Sequence, residues 1–400
     1  MNQRPTLSFM NRSLLLIAVA MFAWGMGEGL FFYFQPIYLQ QLGANPLQIG
    51  AILGVFGLAM TLSHIPAGYL ADRLGRKPLL VAAWMIGILS TWFMALADTL
   101  PIFVIGLAIY GATMFVMSPL YSYVTAARGD LSVGRAITLI SASFNSGAVL
   151  GPWIGGQVGD LLGLRQNYFI AGWLFILSTV VIVFIRPQPV ERATLDRSDR
   201  SWIFNPRLGA YLGVVFLAFF ATYLPQPLSP NFLVNQGGLD LSQTGTLYSI
   251  SSIGVVVLNL ALGGLPARTG FLLAQVSVAA FALILWRASG FPWYVLGYFL
   301  LGGFKTSRSL GIAQVRELVP ETRMGLAYGI AETIAGIAVI LAPLLAGYLY
   351  KQEPTWMYVL GILFIGLSLI ASARYSPRPA VPDLEETDIL LYNTKQGKVD

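Results

Sequence analysis

The chain of 400 residues contains no cysteine and a single histidine, His64. Without cysteine there are no disulfides and no thiolate metal sites, and one histidine is too few for a metal centre built from protein ligands. No G-x-x-x-x-G-K-[ST] loop of the kind that holds ATP phosphates occurs, and no nucleophile–base pair is visible. We therefore expect no metal site, no cofactor and no catalytic residues, so the chain is not expected to be an enzyme.

Charge is scarce as well. Asp, Glu, Lys and Arg make up 10% of the chain, against roughly 25% in a soluble domain, whereas 56% of the residues are hydrophobic. A soluble chain of this length could not bury so much apolar surface, so we expect a protein of the lipid bilayer. Residues 1–13 are short and polar, and no small-residue cleavage site follows the first apolar run. That run is expected to be a retained membrane helix rather than a cleaved signal.

The apolar sequence divides into twelve segments of the length that spans a bilayer, about 20 residues. They cover residues 13–39, 47–70, 78–97, 101–126, 136–161, 167–186, 208–235, 242–265, 270–287, 292–315, 324–350 and 355–373. We expect an all-α membrane protein with two six-helix halves, residues 1–187 and 207–376, joined by a cytoplasmic linker, 188–206. Residues 377–400 are expected to form a disordered cytoplasmic tail.

Lysine and arginine concentrate on alternate loops, and the other set of loops carries only Arg165, Arg287 and Lys351. The positive-inside rule then places both termini in the cytoplasm of a cell whose inner or plasma membrane holds the protein. This bias accounts for most of the net charge of +6. We therefore do not interpret the basic surplus as a nucleic-acid surface, and we expect a monomer surrounded by lipid.

The two halves also share a weak internal repeat. At an offset of 191 residues, Leu150, Pro152 and Gly156 match Leu341, Pro343 and Gly347, and at an offset of 195 residues, Gly68, Leu70, Arg73 and Gly75 match Gly263, Leu265, Arg268 and Gly270. Duplicated membrane units are typical of transporters, whose substrate binds between the repeats near the bilayer midplane.

Ten residues between the second and third segments, 68–77, combine glycine with four charges that hydrocarbon would exclude. We expect them to form a tight loop at a membrane face. Gly68, Leu70, Ala71, Asp72, Arg73, Gly75, Arg76 and Lys77 match every defined position of the G-x-L-A-D-R-x-G-R-K motif, so the chain resembles the major facilitator superfamily over residues 10–375.

The resemblance implies a gating role for residues of this motif and for arginines near it, namely Gly68, Asp72, Arg73, Gly75, Arg76, Arg128 and Arg135. Asp72 can accept hydrogen bonds from a neighbouring helix N-terminus or pair with Arg128 or Arg135. The alternative is a basic loop that sets topology without gating.

The fifth segment contains Gly147, Gly151, Pro152, Gly155 and Gly156, which resemble the helix-five motif of the drug–proton antiporter branches. Small residues at this spacing let helices pack closely. Thr138 stands where that motif has a further glycine, and Leu107 stands at the position of those branches' helix-four arginine. The motif favours export, and ordinary helix packing is the alternative.

Four charges fall inside the predicted membrane segments: Glu28, Lys305, Arg308 and Glu332. A charge at the bilayer centre costs at least about 2.5–3.5 kcal/mol, so each needs a partner or a wet cavity. The helical rise puts Arg308 roughly 16 Å and Glu332 roughly 14 Å from the basic side, so we expect an ion pair. The resemblance implies that helices one, four, seven and ten line a central cavity, which Glu28 and Lys305 then face from opposite halves.

The functional interpretation makes Glu28 the protonatable coupling site, because an apolar cavity favours the neutral carboxyl and lets it load and release protons. Lys305 and Arg308 would attract an anionic substrate group. Tyr33, Gln35 and Asn145 are further candidate substrate contacts. The alternative is a structural Arg308–Glu332 pair, with Glu28 bonded to a helix backbone and the aromatic residues packed in the core.

The chain is thus predicted to be a secondary transporter that works by alternating access. The first hypothesis is proton-coupled export of an amphipathic organic compound, anionic compounds included. The alternative is proton-coupled uptake of a small organic anion or metabolite. The expected partners are this small molecule, protons and the bilayer.

Overall fold

The computed structural model describes residues 11–188, 205–319 and 324–377, without the side chains of residues 64–74, 118, 325 and 326. Throughout these ranges the regular structure is helical and contains no strand. The prediction of an all-α protein is therefore confirmed. Most of the predicted linker 188–206 and nearly all of the tail 377–400 lie outside the described residues, as do the side chains of Gly68, Asp72 and Arg73.

Eight of the twelve predicted spans are continuous helices that begin and end within a few residues of the expected positions. They are helix 2 (Pro46–Leu74), helix 3 (Arg76–Leu96), helix 5 (Val133–Leu162), helix 6 (Leu164–Val183), helix 8 (Leu241–Gly263), helix 9 (Ala267–Arg287), helix 11 (Met324–Gln352) and helix 12 (Trp356–Tyr375).

The other four spans are interrupted. Helix 1 consists of Arg12–Phe31, a 3₁₀ turn Phe32–Phe34 and Gln35–Gln41; helix 4 of Leu100–Ala112, a 3₁₀ turn Thr113–Val116 and Met117–Ala127; helix 7 of Pro206–Tyr223 and Ser229–Asn235; and helix 10 of Phe291–Leu301 and Gly303–Ala313. Each piece of helix 10 is too short to cross a bilayer alone, so eleven described helices are long and apolar enough to span it.

Proline explains two of the interruptions. Pro36 and Pro119 each lie four residues after a 3₁₀ residue, Phe32 and Phe115 respectively. A proline ring clashes with the carbonyl four residues before it and removes one helical hydrogen bond. The broken helices are numbers 1, 4, 7 and 10, those that the family resemblance places around the central cavity. Discontinuous helices at membrane depth commonly line transporter sites.

The chain ends of the described part lie on one side of the molecule, because twelve crossings separate Arg12 from Tyr375. We call this side the basic face, since the described residues there include Arg12, Arg76, Lys77, Arg128, Arg135, Arg186, Arg207, Arg268, Arg316 and Arg374. The other side, with Arg165, Arg287 and Lys351, is called the opposite face.

The predicted loop at residues 68–77 is shorter than expected. Helix 2 continues to Leu74, helix 3 begins at Arg76, and Gly75 alone joins them. Gly75 adopts a φ of +83°, which only glycine reaches without strain. The expectation of a loop over all ten residues was wrong because one glycine in this conformation is enough to reverse the chain.

Two seams join the halves: helix 2 packs on helix 11, and helix 5 packs on helix 8. A Cβ added to any of four glycines would collide with a backbone carbonyl oxygen across a seam: Gly50 with Pro343, Gly347 with Pro46, Gly245 with Pro152 and Gly156 with Leu241. The two seams are equivalent under the internal repeat, because the offsets of 195 and 191 residues carry one set of contacts onto the other.

These seam contacts run from the opposite face to about the middle of each helix. On the helix 5–helix 8 seam they extend from Gly156 to Ser252, whose hydroxyl donates to the Ala148 carbonyl at 3.3 Å. On the other seam they extend from Gly347 to Gly336, which approaches Thr61. The halves are therefore closed against each other on the opposite face.

Candidate functional site

Glu28 lies near the end of the first piece of helix 1 and is half-buried. Its Oε2 accepts hydrogen bonds from the Tyr110 hydroxyl at 3.0 Å and from Trp24 Nε1 at 3.3 Å. Trp24 precedes Glu28 by one helical turn, whereas Tyr110 comes from helix 4, close to its interruption. The carboxylate is thus held by side chains of its own half.

Aromatic rings fix these two donors. The Trp24 ring stacks on Phe175 with centroids 4.0 Å apart, and it contacts Trp84 at 5.1 Å. Trp84 is anchored in turn, since its Nε1 donates to the Ser178 hydroxyl at 2.7 Å. Ring pairs of this kind contribute about 0.5–1.5 kcal/mol beyond the area they bury. The carboxylate therefore sits on a rigid aromatic frame built from helices 1, 3, 4 and 6.

Arg308 and Glu332 lie on helices 10 and 11 of the second half. The structure brings them together, with Arg308 Nη2 2.5 Å from Glu332 Oε2. Their side chains are 35% and 49% exposed, although both lie inside spans that the sequence places in the membrane. The Glu332 charge also acts on Tyr121 of the first half. The pair accordingly faces a space between the halves on the side of the basic face.

Lys305 lies one turn before Arg308 on helix 10 and is exposed. No carboxylate of the described residues lies within ion-pair distance of its Nζ, but its charge acts on Glu28 across the boundary between the halves. Lys305 is therefore the residue that connects the Glu28 site electrostatically to the second half.

The glycines of the helix-five motif lie along two edges of the helix. Gly147, Gly151 and Gly155 pack against the backbone of helix 1, whereas Gly156 packs on Leu241 of the other half. Pro152 lies inside helix 5 and belongs to both edges, because its ring faces Gly29 of helix 1 and its carbonyl oxygen faces Gly245 of helix 8. The motif thus contributes both to packing within the first half and to the seam with the second.

Asp160 continues this second edge, and the sequence interpretation did not single it out. Its carboxylate accepts hydrogen bonds from the backbone amides of Leu241, at 3.1 Å, and Ser242, at 2.7 Å. These amides open helix 8, where the helix dipole favours a negative charge. Gln157 adds a bond to the Ser242 hydroxyl at 2.6 Å. Asp160 follows Gly156 by four residues, which is the one hint that the sequence offers.

Tyr33 was predicted to contact substrate, and the structure places it between the halves. Its ring stacks on Tyr248 of helix 8, with centroids 4.3 Å apart and an angle of 19°. Nearer the opposite face, Asn231 of helix 7 donates to Gln40 Oε1 at 2.6 Å and to the Pro36 carbonyl at 3.0 Å. These contacts add to the closure of the opposite face.

Two other candidate substrate contacts have different surroundings. Gln35 is buried at the start of the second piece of helix 1, and its Nε2 has no hydrogen-bond partner among the described residues. Asn145 is half-buried, and its Nδ2 donates to the Ser141 carbonyl of its own helix at 2.8 Å.

The predicted gating residues are described in part. Arg76 donates to Gln188 Oε1 at 3.1 Å, and Arg128 donates to the Thr125 carbonyl at 2.6 Å. Arg135 is exposed near the start of helix 5. A contact between these arginines and Asp72 stays a prediction, because the Asp72 side chain is outside the described part of the chain.

Within the ranges that the structure describes, no three residues among histidine, cysteine, aspartate and glutamate are grouped so as to hold a metal ion.

Comparisons with known proteins agree with this architecture. Multidrug resistance protein 2 of Bacillus subtilis is 22% identical over 86% of this chain and 90% of its own length. Quinolone resistance protein NorA of Staphylococcus aureus is also 22% identical, over 90% of this chain and 96% of its own. The crystal structure of the nucleoside transporter NupG superposes with a TM-score of 0.76 at 16% identity, covering 92% of this chain and 98% of that one.

The sequence profile of the Major Facilitator Superfamily matches residues 14–270 and 211–389, so it extends over both halves. Together with the helical fold and the seams between its halves, this match shows that the chain belongs to the Major Facilitator Superfamily of membrane transporters.

Proposed function

We propose that this protein is a secondary active transporter that exports an amphipathic organic compound in exchange for protons. The observation that carries the proposal is the Glu28 carboxylate, held at membrane depth by hydrogen bonds from Tyr110 and Trp24 in an aromatic frame. A carboxyl group in such surroundings can be neutral or ionised as the cavity changes access. The relatives named for multidrug and quinolone resistance support export.

Alternating access fits the closed opposite face. By the positive-inside rule, the basic face is cytoplasmic and both termini lie in the cytoplasm of the cell that holds this protein in its membrane. The seams then close the outer side, and the partly exposed Arg308–Glu332 pair is proposed to line a cavity that opens to the cytoplasm. Cargo for export would enter from this side.

Cargo recognition is proposed to use both charge and aromatic surface. Lys305 and Arg308 offer cations to an anionic group, and Tyr33, Gln35 and Asn145 are proposed to contact the remainder of the molecule once the seams separate. Glu332 already occupies Arg308 at 2.5 Å. An anionic cargo therefore has to displace Glu332 from Arg308 or bind at Lys305.

Lys305 also favours a second candidate, proton-coupled uptake of a small organic anion. An anion bound beside Glu28 stabilises the protonated carboxyl, so proton and anion bind together and cross together. A cationic cargo instead stabilises the ionised carboxylate and competes with the proton, which gives exchange. Binding linkage is reciprocal, so the charge of the cargo and the direction of coupling are connected.

The test is transport by the purified protein in proteoliposomes, with norfloxacin, tetracycline and aromatic carboxylates as probes. Exchange requires that an acidic interior drives accumulation of a probe, whereas cotransport requires that an acidic exterior does. Glu28→Gln should abolish either response, and Glu353→Gln, in an exposed loop, should abolish neither. A proton-driven response that survives Glu28→Gln would refute the coupling site.

A further inference from the structure

We propose that Tyr110 is the positioning residue of the proton site, and that it orients Glu28 so that Oε1 is the oxygen that binds the transported proton. This inference rests on the proposed function, in which Glu28 is the proton carrier. It adds that the proton binds at Oε1 of Glu28 and that the hydrogen bond from Tyr110 to Oε2 keeps Oε1 available.

The geometry points to Oε1 because both hydrogen bonds converge on Oε2. Trp24 Nε1 and the Tyr110 hydroxyl lie 3.3 and 3.0 Å from the same oxygen. An indole N–H can only donate, and a phenol beside a carboxylate donates as well. Oε1 receives no hydrogen bond from any described residue, so its lone pairs stay available.

The proton step then follows. An ionised Glu28 takes a proton from hydronium in the cavity, which leaves a water molecule, and the new O–H bond forms at Oε1. Oε2 becomes the carbonyl oxygen and keeps both hydrogen bonds. Release reverses these changes, and the two donors do not move during either step.

Tyr110 is suited to this role by its confinement. Its side chain is fully buried, and its ring contacts Phe31 at 5.3 Å edge-on and Phe175 at 6.2 Å. The hydroxyl therefore has no water to bond in place of Glu28. Its backbone carbonyl accepts from Thr113 at 2.7 Å, where helix 4 is interrupted, so the donor is fixed at the break itself.

The charged and titratable groups around Glu28 come from different halves. Trp24 and Tyr110 belong to the first half, and the one other charge that acts on Glu28 among the described residues is Lys305 of the second. When the halves move, the two donors travel with Glu28 and only the distance to Lys305 changes. Tyr110 and Trp24 therefore preserve the orientation of the carboxyl through the cycle, whereas the electrostatic effect of Lys305 on Glu28 differs between conformations.

Infrared difference spectroscopy between acidic and alkaline pH tests the proposal on the full-length protein in lipid. We expect a carbonyl band from protonated Glu28 that Glu28→Gln removes. Tyr110→Phe should shift this band to higher frequency, because the carbonyl oxygen loses one of its two hydrogen bonds. Tyr168→Phe is the matched control: Tyr168 is also fully buried in the first half, but its hydroxyl has no partner among the described residues.

The outcomes separate the two ideas. If Glu28→Gln removes no carbonyl band, the proposed proton carrier is wrong. If Glu28→Gln removes the band but Tyr110→Phe leaves its frequency unchanged, Glu28 remains the carrier and the positioning role is refuted. Trp24→Phe deletes the other donor to Oε2 and should shift the same band upward; an unchanged band in that variant would show that Oε2 is not the carbonyl oxygen and would refute protonation at Oε1.

Discussion

Tyr33 and Tyr248 stack face to face across the boundary between the halves, with ring centroids 4.3 Å apart. Tyr33 belongs to the interruption of helix 1, and Tyr248 lies on helix 8. A ring pair of this kind stabilises the closed opposite face by about 0.5–1.5 kcal/mol. The pair must separate whenever that face opens.

The first prediction concerns this stack. Tyr33→Ala should raise the population of the state open on the opposite face several-fold, because about 1 kcal/mol of contact is lost. Since the chain has no cysteine, a single Ser249→Cys substitution on the seam provides a unique label. An impermeant maleimide applied from the opposite face should react faster in the Tyr33→Ala background. Tyr375→Ala, at an exposed ring near the basic face, should leave the rate unchanged, and equal rates in all backgrounds would contradict the role of the stack.

A second prediction concerns the bond between Asp160 and helix 8. Asp160→Ala removes two hydrogen bonds and a charge at a helix N-terminus. Together these stabilise the closed seam by about 1–2 kcal/mol. We expect the halves to part more often on the opposite face, seen as a longer mean distance between spin labels at Gln41→Cys and Glu353→Cys. Asp240→Asn is the control, because Asp240 caps the same helix from within its own half. The same distance shift in both variants would show that helix 8 is merely frayed.

The third prediction compares three glycines of helix 5. Gly151→Ala should lower the melting temperature, because its Cβ would lie 2.7 Å from Gly29 Cα inside the first half. Gly156→Ala should leave the melting temperature of the solubilised protein near that of the parent and slow transport, since its Cβ meets helix 8 across the seam. Gly134→Ala has no atom within 4 Å of its Cβ and should be neutral or slightly stabilising. Identical effects of Gly151→Ala and Gly156→Ala would exclude the division into two edges.

The fourth prediction concerns the Arg308–Glu332 pair. Both side chains are partly exposed, so the pair contributes no more than about 1 kcal/mol. Glu332→Gln should raise the affinity for aromatic carboxylates up to about fivefold by freeing Arg308, and Arg308→Gln should lower it. Calorimetric titration with the purified protein measures both changes. If Glu332→Gln weakens carboxylate binding, Arg308 is a structural residue and not an anion site.

The sequence predicted the helices well because each span is a long apolar run, and polar or glycine-containing residues mark where each run ends. It also placed Arg308 and Glu332 at matching depth from the helical rise alone. It did not predict the partners of Glu28, because Tyr110 is 82 residues away and no periodicity links them. The bond from Asp160 to helix 8 was missed for the same reason. Pro36 and Pro119 could have predicted the interruptions of helices 1 and 4, but each lies within a continuous apolar run that was interpreted as one helix.

The two seams differ in the polar contacts that accompany their shared packing, and one of these differences has a mechanical consequence. Each seam starts at a capped helix, with Asn45 and Gln48 on one side and Asp240 and Gln243 on the other. By the offset of 191, the counterpart of Asp160 is Lys351, which cannot accept a backbone hydrogen bond. Among the described side chains, the helix 5–helix 8 seam is therefore bound by a charged group in addition to close packing, and the helix 2–helix 11 seam has no equivalent carboxylate at Lys351. When the opposite face opens, we expect the helix 2–helix 11 seam to separate first and the helix 5–helix 8 seam to act as the hinge.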